Sequence, residues 1–147
     1  MTSITFYFNA GDRLEVACRL AAKAVQQGKR LLIWAPQPEM AQKIDRLLWT
    51  VPAVSFVPHC AAHGPLAPDT PVLIAADDAS RNSAPALDCD VLLSLSDDTP
   101  PSFERHERLL EIVAGDEEAR QAGRARFKFY RDRGYEIRNH DLAKAAT

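Results

Sequence analysis

The hydrophobic positions of this chain change their period several times, and these changes divide the sequence into alternating strands and helices. Short apolar runs typical of strands occupy residues 4–8, 30–35, 71–76, 91–96 and 108–114. Several are apolar at nearly every position, which indicates strands buried on both faces of a parallel sheet. Between and after them, apolar residues recur at helical spacing over residues 12–27, 38–49 and 116–134.

This alternation predicts an α/β fold with three layers, a mostly parallel sheet flanked by helices. Asp116 precedes the last helical pattern and Gly28 follows the first, as an N-cap and a C′ glycine do. We assign residues 1–147 to a single domain, because 147 residues suit one hydrophobic core. Residues 139–147 are expected to form a loosely packed C-terminal tail.

The sequence of the turn after the first strand indicates whether such a domain has a nucleotide-binding motif. It reads NAGDRLE and contains one glycine, without the G-x-G-x-x-G or G-x-x-x-x-G-K-[ST] of nucleotide sites. Asp77–Asp78 and Asp97–Asp98 follow strands, where α/β enzymes place catalytic carboxylates, but they fit turns and helix caps equally. We favour the second interpretation and predict no enzyme, with a small nucleotide-dependent enzyme as the weaker alternative.

His59, Cys60 and His63 form an H-C-x-x-H cluster, which suggests a zinc site or a Cys–His nucleophile. Cys18 falls on the core stripe of a helix and Cys89 precedes a strand, so neither offers a further zinc ligand. We expect packing roles for the cluster, reduced thiols, no metal and no cofactor.

Composition and charge restrict the class of protein further. The formal charge is -2, with 46% hydrophobic and 26% charged residues. No apolar run approaches the roughly 18 residues of a membrane span, and the first residues lack a signal pattern. We therefore expect a cytoplasmic protein that does not contact a membrane.

The segment DRLLWTVPAVSFVPH, residues 45–59, is unusually apolar for the end of a helix and the loop after it. The core stripe of its helix centres near Ile44, and Trp49 lies about 150° away around the helix axis. Trp49 therefore points away from the core that its neighbours fill. It is either buried beneath the following loop or exposed as part of a partner site.

The last helix carries a row of cations on one face, within about 80° of arc, with Phe127 at its edge. These cations are Arg120, Arg124, Lys128 and Arg131. The opposite side is predicted to be core and contains Ala122, Ala125 and Phe129.

A solvated basic face and a site for an anionic ligand with an apolar tip both fit this row of cations. Single-stranded nucleic acid is a competing ligand. The negative net charge and the absence of an RNP-type aromatic pair count against it.

Three segments together resemble one known family. RLLWTVPAVSFVPH followed by GP, the opening ITFYF, and GRARFKFYRDRGY near the end are similar to the chi subunit of bacterial DNA polymerase III, in the same order along nearly the whole chain. The resemblance implies a Rossmann-like fold without a functional nucleotide site. It also implies a non-catalytic adaptor of the clamp loader in DNA replication.

The resemblance further implies two partners. One is the psi subunit, as a 1:1 heterodimer, with Phe56 and Val113 on the psi-facing surface. The other is the single-stranded-DNA-binding protein, through which single-stranded DNA is met indirectly. Its acidic C-terminal tail ends in Pro-Phe and is expected to bind at Trp49, Arg124, Phe127, Lys128 and Arg131.

The chain departs from the family pattern at one position. Relatives often have tyrosine where this sequence has Phe127, so a hydrogen bond from that hydroxyl is lost here.

Overall fold

A computed structural model describes residues 2–50 and 57–145 of the chain. Its strands are β1 (Ser3–Ala10), β2 (Leu31–Trp34), β3 (His59–Ala61), β4 (Val72–Ala75), β5 (Val91–Ser94), β6 (Arg108–Ala114) and β7 (Ile137–Asp141). Its helices are α1 (Arg13–Gln26), α2 (Pro38–Thr50), α3 (Asp78–Arg81), α4 (Ala84–Leu87), α5 (Glu117–Asp132) and α6 (Leu142–Ala145).

The seven strands form one sheet in the order β3–β4–β2–β5–β6–β1–β7. Every strand pair that the structure describes is parallel. The central strands are buried on both faces, because helices cover both sides of a parallel sheet. The predicted α/β fold with a parallel sheet between two helical layers is confirmed.

The two faces of the sheet bury separate apolar clusters. Along β2, Leu31 and Ile33 contribute to the cluster beneath α1 and α2, on what we call the first face. Leu32 and Trp34 alternate onto the second face, which α4 and α5 cover. A residue's face therefore decides which helices it can contact.

Local capping explains where the long helices begin and end. The Asp12 side chain accepts hydrogen bonds from the backbone N–H groups of Leu14 and Glu15 at the start of α1. Asp116 accepts one from Ala119 at the start of α5, as predicted. Gly28 has a φ of +71°, the left-handed conformation that commonly follows a helix.

Both edge strands, β3 and β7, were missed by the hydrophobic pattern. The β7 sequence IRNHD is mostly polar, because its side chains are largely exposed. The expected loose tail is therefore corrected at residues 139–141, which lie in β7. Leu142 also packs against the first-face cluster, and residues 146–147 lie outside the described part of the chain.

The predicted core side of α5 is also wrong. Ala125 is exposed, and Ala122 and Phe129 are half-buried. The buried residues of α5 are Gly123, Arg126 and Tyr130. A buried arginine and a glycine add no hydrophobic signal, so the helical period of apolar residues pointed to the wrong side.

Within the described residues, no helix combines the length and the apolar character needed to span a lipid bilayer.

Candidate functional site

An open pocket of about 390 Å³ lies on the second face, between α5 and the edge strand β7. Strands β1 and β6 form its floor and α5 forms one wall. The lining combines aromatic and aliphatic groups with two guanidinium groups and two amides, and comprises Phe6, Phe8, Asn9, Val113, Arg120, Gly123, Arg124, Phe127 and Asn139. We call this the basic pocket.

The apolar part of the basic pocket is built from aromatic contacts. The ring centroids of Phe6 and Phe127 are 5.6 Å apart and tilted by 54°, a separation typical of packed aromatic pairs. Phe127 is only partly buried, so part of its ring faces the pocket. An apolar ligand group can therefore pack on it without rearrangement of the core.

The cations near the pocket are engaged to different degrees. Arg124 Nη2 lies 3.1 Å from Glu117 Oε1, and Arg120 Nη2 donates to Asn9 Oδ1 at 3.4 Å. Lys128, one turn beyond Arg124, is exposed and forms no ion pair within the described residues.

Arg131 lies one turn further along α5 and pairs with Asp132 at 3.5 Å. Neither Lys128 nor Arg131 lines the pocket itself. They extend its positive charge along α5.

Gly123 brings α5 unusually close to the sheet. A Cβ atom at this position would lie 2.9 Å from Val113 Cγ2 and 3.1 Å from Val113 Cγ1. Any larger residue would push α5 off β6 or displace Val113, which is 5% exposed on the pocket floor. Gly123 thus sets the depth of the pocket.

A buried polar network fixes the register of α5 on β6. Arg126 Nε donates to Glu111 Oε2 at 3.1 Å, and the Tyr130 hydroxyl donates to the same oxygen at 2.7 Å. Burial raises the pKa of Glu111 to about 7, although the Arg126 guanidinium and the Tyr130 hydrogen bond favour the charged form. Burial beside Glu111 also raises the pKa of Tyr130.

The network has a consequence for the surface. Arg126 and Tyr130 point into the second face, so the neighbouring Phe127 and Arg124 are turned toward the pocket in a defined orientation.

Trp49 lies in a different region from the basic pocket. Its side chain is 58% exposed, which confirms that it points away from the core, and its ring centroid is 4.7 Å from that of His59 in β3. Helix α2 covers the first face, whereas α5 covers the second. Four strands separate β3 from β1, roughly 24 Å at the usual strand spacing.

The expected grouping of Trp49 with Phe127, Arg124, Lys128 and Arg131 in one pocket is therefore corrected. Helical geometry on α2 predicted that Trp49 points away from the core of its own helix, but neither its exposure nor its face of the sheet.

Val113, which the resemblance assigns to a psi-facing surface, lies far from the neighbourhood of Trp49. It lies in β6 on the second face, beneath Gly123, and lines the basic pocket. Phe56, with which it was grouped, lies outside the described residues. Val113 thus joins Phe127 and Arg124 rather than the neighbourhood of Trp49.

The H-C-x-x-H cluster does not converge on one point. Both ring nitrogens of the buried His59 face oxygen atoms: Nδ1 lies 2.6 Å from Val57 O, and Nε2 lies 3.1 Å from Asp45 O. His63 Nδ1 instead approaches Ser80 Oγ at 3.2 Å. Among the described residues, no group of three or more His, Cys, Asp or Glu side chains is arranged to hold a metal ion.

Other acidic residues serve as caps. Asp77 accepts a 2.7 Å hydrogen bond from the Ser80 N–H at the start of α3, and this bond lowers the pKa of Asp77. At the turn after β1, the Asp12 carboxylate accepts from the first N–H groups of α1. A nucleotide phosphate bound there would need these same donors.

Comparison with known proteins identifies the family. The family model described as DNA polymerase III chi subunit, HolC, matches residues 1–138. The chain belongs to this family. It is 30% identical to DNA polymerase III subunit chi of Pseudomonas aeruginosa, over 98% of this chain and 99% of that protein. The corresponding Escherichia coli protein is also 30% identical, over 93% and 96%.

Membership of the chi family places the chain among components of DNA polymerase III and therefore in DNA replication. A solved structure described as the C-terminal domain of the DEAD-box protein Dbp5 has the same fold, with a TM-score of 0.67 over 97% of this chain and 91% of that one. At 13% identity, it is informative about the fold alone.

Sequence reasoning missed several residues around the basic pocket. Asn9, Phe8 and Asn139 gave no signal, because the pairing of β1 with β7 was not predicted. Glu111 did offer one: a lone carboxylate inside the apolar run RLLEIVA needs a buried partner. That partner is Arg126 of α5.

Proposed function

We propose that this chain is a non-catalytic adaptor of the polymerase clamp loader. In this role it pairs with a psi subunit and binds the acidic C-terminal tail of the single-stranded-DNA-binding protein, which ends in Pro-Phe. It meets single-stranded DNA only indirectly and works in the cytoplasm without a cofactor. The proposal rests on the chi-family resemblance and on the geometry of the basic pocket.

The observation that carries the tail-binding proposal is the combination of an aromatic floor with cations at one pocket. A terminal Phe ring would pack on Phe6 and Phe127, contributing about 2 kcal/mol. Carboxylates of the tail would meet Arg124 and Lys128, each charge-assisted hydrogen bond contributing roughly 1.5–3 kcal/mol before ordering costs. We expect a Kd of about one to tens of micromolar.

The tail site that we propose differs from the one expected from the sequence alone. Phe127, Arg124 and Lys128 remain at its centre, and Arg131 would contact acidic residues further from the tail's end. Val113 and Arg120 join it, because they line the same pocket. The missing hydroxyl at Phe127 leaves the apolar contact in place.

Trp49 is assigned to the psi-facing surface instead. An indole that is 58% exposed at the end of α2 is suited to burial by a folded partner. Trp49 is separated from Phe56 by only six residues of chain, so both can belong to one psi-binding surface.

Titration of a fluorescent acidic peptide ending in Pro-Phe tests the tail site. Phe127→Ala and Lys128→Glu should each weaken binding about tenfold or more, whereas Trp49→Ala should bind as tightly as the unaltered protein. If Phe127→Ala and Lys128→Glu both bind normally, the pocket is not the tail site. A tight oligonucleotide complex in the absence of the tail-bearing protein would favour the direct nucleic-acid-binding alternative.

Co-purification with a psi subunit tests the second partner. Trp49→Ala and Phe56→Ala should reduce the 1:1 complex, while Lys128→Glu should leave it intact. Loss of the psi complex in the Lys128 variant alone would reverse the assignment of the two surfaces.

A further inference from the structure

The most prominent cation of the basic pocket is already held by a carboxylate from its own helix. Arg124 Nη2 donates to Glu117 Oε1 at 3.1 Å, across two turns of α5. Gln121 Nε2 donates to the same oxygen at 3.3 Å, so the Glu117 side chain is held from two sides. Both Glu117 and Arg124 are about two-thirds exposed, at 66% each.

This contact has the chemistry that the proposed ligand would use. An acidic peptide must bring its own carboxylate to Arg124, and a guanidinium bonded to Glu117 offers fewer free donors. Binding therefore replaces the Glu117 carboxylate with a peptide carboxylate at the Arg124 guanidinium. Lys128, which has no ion pair within the described residues, requires no such exchange.

We infer that Glu117 is an internal competitor at the basic pocket, whose carboxylate holds Arg124 in the free protein and lowers its affinity for acidic C-terminal peptides. This inference rests on the proposed tail-binding function. Glu117 would make the pocket selective, because a ligand with a single carboxylate gains little by displacing it. A tail that also packs its terminal ring on Phe127 and contacts Lys128 gains enough to complete the exchange.

The expected size of the effect follows from the exposure of the pair. An exposed ion pair changes an equilibrium constant by up to about fivefold. Removing the Glu117 charge should therefore tighten peptide binding about two- to fivefold beyond any general electrostatic gain. The difference should shrink in high salt, because exposed charges are screened.

The chain offers a matched control for this test. Glu118 is exposed in the same first turn of α5, and within the described residues its side chain forms no hydrogen bond or ion pair. Glu117→Gln and Glu118→Gln therefore remove the same charge from the same end of the helix. They have similar effects on the helix dipole and on the net charge, and they differ in the contact with Arg124.

The experiment is an anisotropy titration of a labelled acidic peptide ending in Pro-Phe. Glu117→Gln should lower the Kd about two- to fivefold relative to Glu118→Gln. In an Arg124→Gln background, the two variants should bind equally, because the competing contact is gone. Equal affinities of Glu117→Gln and Glu118→Gln when Arg124 is present, or an unchanged difference between them after Arg124→Gln, would overturn the inference.

Failure of the underlying function has a different signature. If the unaltered protein does not bind the peptide, or binds it regardless of Phe127→Ala, then the basic pocket is not the tail site. If binding depends on Phe127 and Arg124 but the two glutamate variants are equal, only the role of Glu117 is wrong.

Discussion

The basic pocket and the surface around Trp49 both present an aromatic ring, but different structures support the two rings. Phe127 is partly buried against Phe6, on a helix that the Glu111–Arg126–Tyr130 network anchors to β6. Trp49, in the last turn of α2, packs at a tilt of 56° against His59 of a three-residue edge strand. The first ring lines a concavity with cations, whereas the second is mostly exposed.

From this difference we expect two modes of recognition at the proposed sites. A concave site with a few directed charges suits a short peptide, and its affinity should respond to charge and salt. An exposed aromatic ring suits the centre of a wider protein surface, where the partner supplies the burial. Substitutions in the second-face network should therefore change the basic pocket and leave the Trp49 region unchanged.

The largest effect is expected from Arg126→Met, which leaves the fully buried Glu111 without its cation. Removing one member of a buried ion pair typically destabilises a protein by about 3–5 kcal/mol. Urea unfolding should show this loss at pH 8, where Glu111 is largely ionised. Peptide affinity should fall as well, because α5 loses its anchor on β6.

A neighbouring arginine provides the control for Arg126→Met. Arg124→Met removes an exposed cation, so the free energy of unfolding should change by less than about 1 kcal/mol. If both substitutions destabilise the protein equally, the buried network does not anchor α5.

The pH dependence of stability should be the next largest effect. Glu111 has an ordinary pKa of 4.5 that burial raises to about 7 in the folded protein. The folded state therefore holds a proton that the unfolded chain has lost between these values. The contribution of Glu111 to the free energy of unfolding is fully present below about pH 4.5 and declines as the pH rises toward 7, by up to about 1 kcal/mol per pH unit.

Urea denaturation between pH 4.5 and 8 measures this slope. The Glu111→Gln side chain has nearly the same shape but does not titrate. This variant should therefore lack the decline in the free energy of unfolding that is attributed to Glu111. An identical pH profile for the unaltered protein and the variant would contradict the raised pKa of Glu111.

Gly123→Ala should have a smaller effect that is confined to the basic pocket. The new methyl group would meet Val113 Cγ2 at 2.9 Å, and overpacking of this kind costs about 1–3 kcal/mol, offset in part by the higher helix propensity of alanine. Peptide binding should weaken as α5 moves. Calorimetry and peptide titration together measure both changes.

The partner of Gly123 offers a rescue. Val113→Ala in the Gly123→Ala background should restore part of the peptide affinity, because it makes room for the new methyl group. If the losses of peptide affinity are instead additive in the double variant, the contact between residue 123 and Val113 is not the cause of the weaker binding.

The smallest effect on stability is expected from Trp49→Ala. The ring is 58% exposed and contacts His59, so unfolding should change by about 1 kcal/mol or less. Peptide affinity should stay within about twofold of the unaltered value, since roughly 24 Å of sheet and the opposite face separate the two regions. A strong loss of peptide binding in Trp49→Ala would instead show that Trp49 and the basic pocket form one site.

The fold was predictable because its signals are local. Runs such as RLLIWA and PVLIAA are buried on both faces, and each reports its strand without reference to the rest of the chain. Asp116 and Gly28 mark helix ends through bonds to nearby backbone groups. The edge strand β7 was missed, since exposed polar side chains leave no hydrophobic period.

The candidate site was predictable in its parts but not in its assembly. The cationic face of α5, Phe127 at its edge and the outward direction of Trp49 all follow from angles around single helices. Whether two helices cover the same face of the sheet depends on the direction of each crossover and on strand order. Neither can be predicted from the sequence of a helix. The tertiary structure alone separates Trp49 from Phe127 and brings Val113 beneath Gly123.

By itself, the sequence determined an α/β chain with the chi-family pattern, a basic last helix and a tryptophan that points away from the core of its own helix. Only the tertiary structure decided that α5 buries Arg126 against Glu111, and that the cations and aromatic rings of the pocket come from α5, β1 and β6. The physical reason is that capping and periodicity act over a few residues. Strand order and the pairing of buried charges join residues that are far apart in the chain.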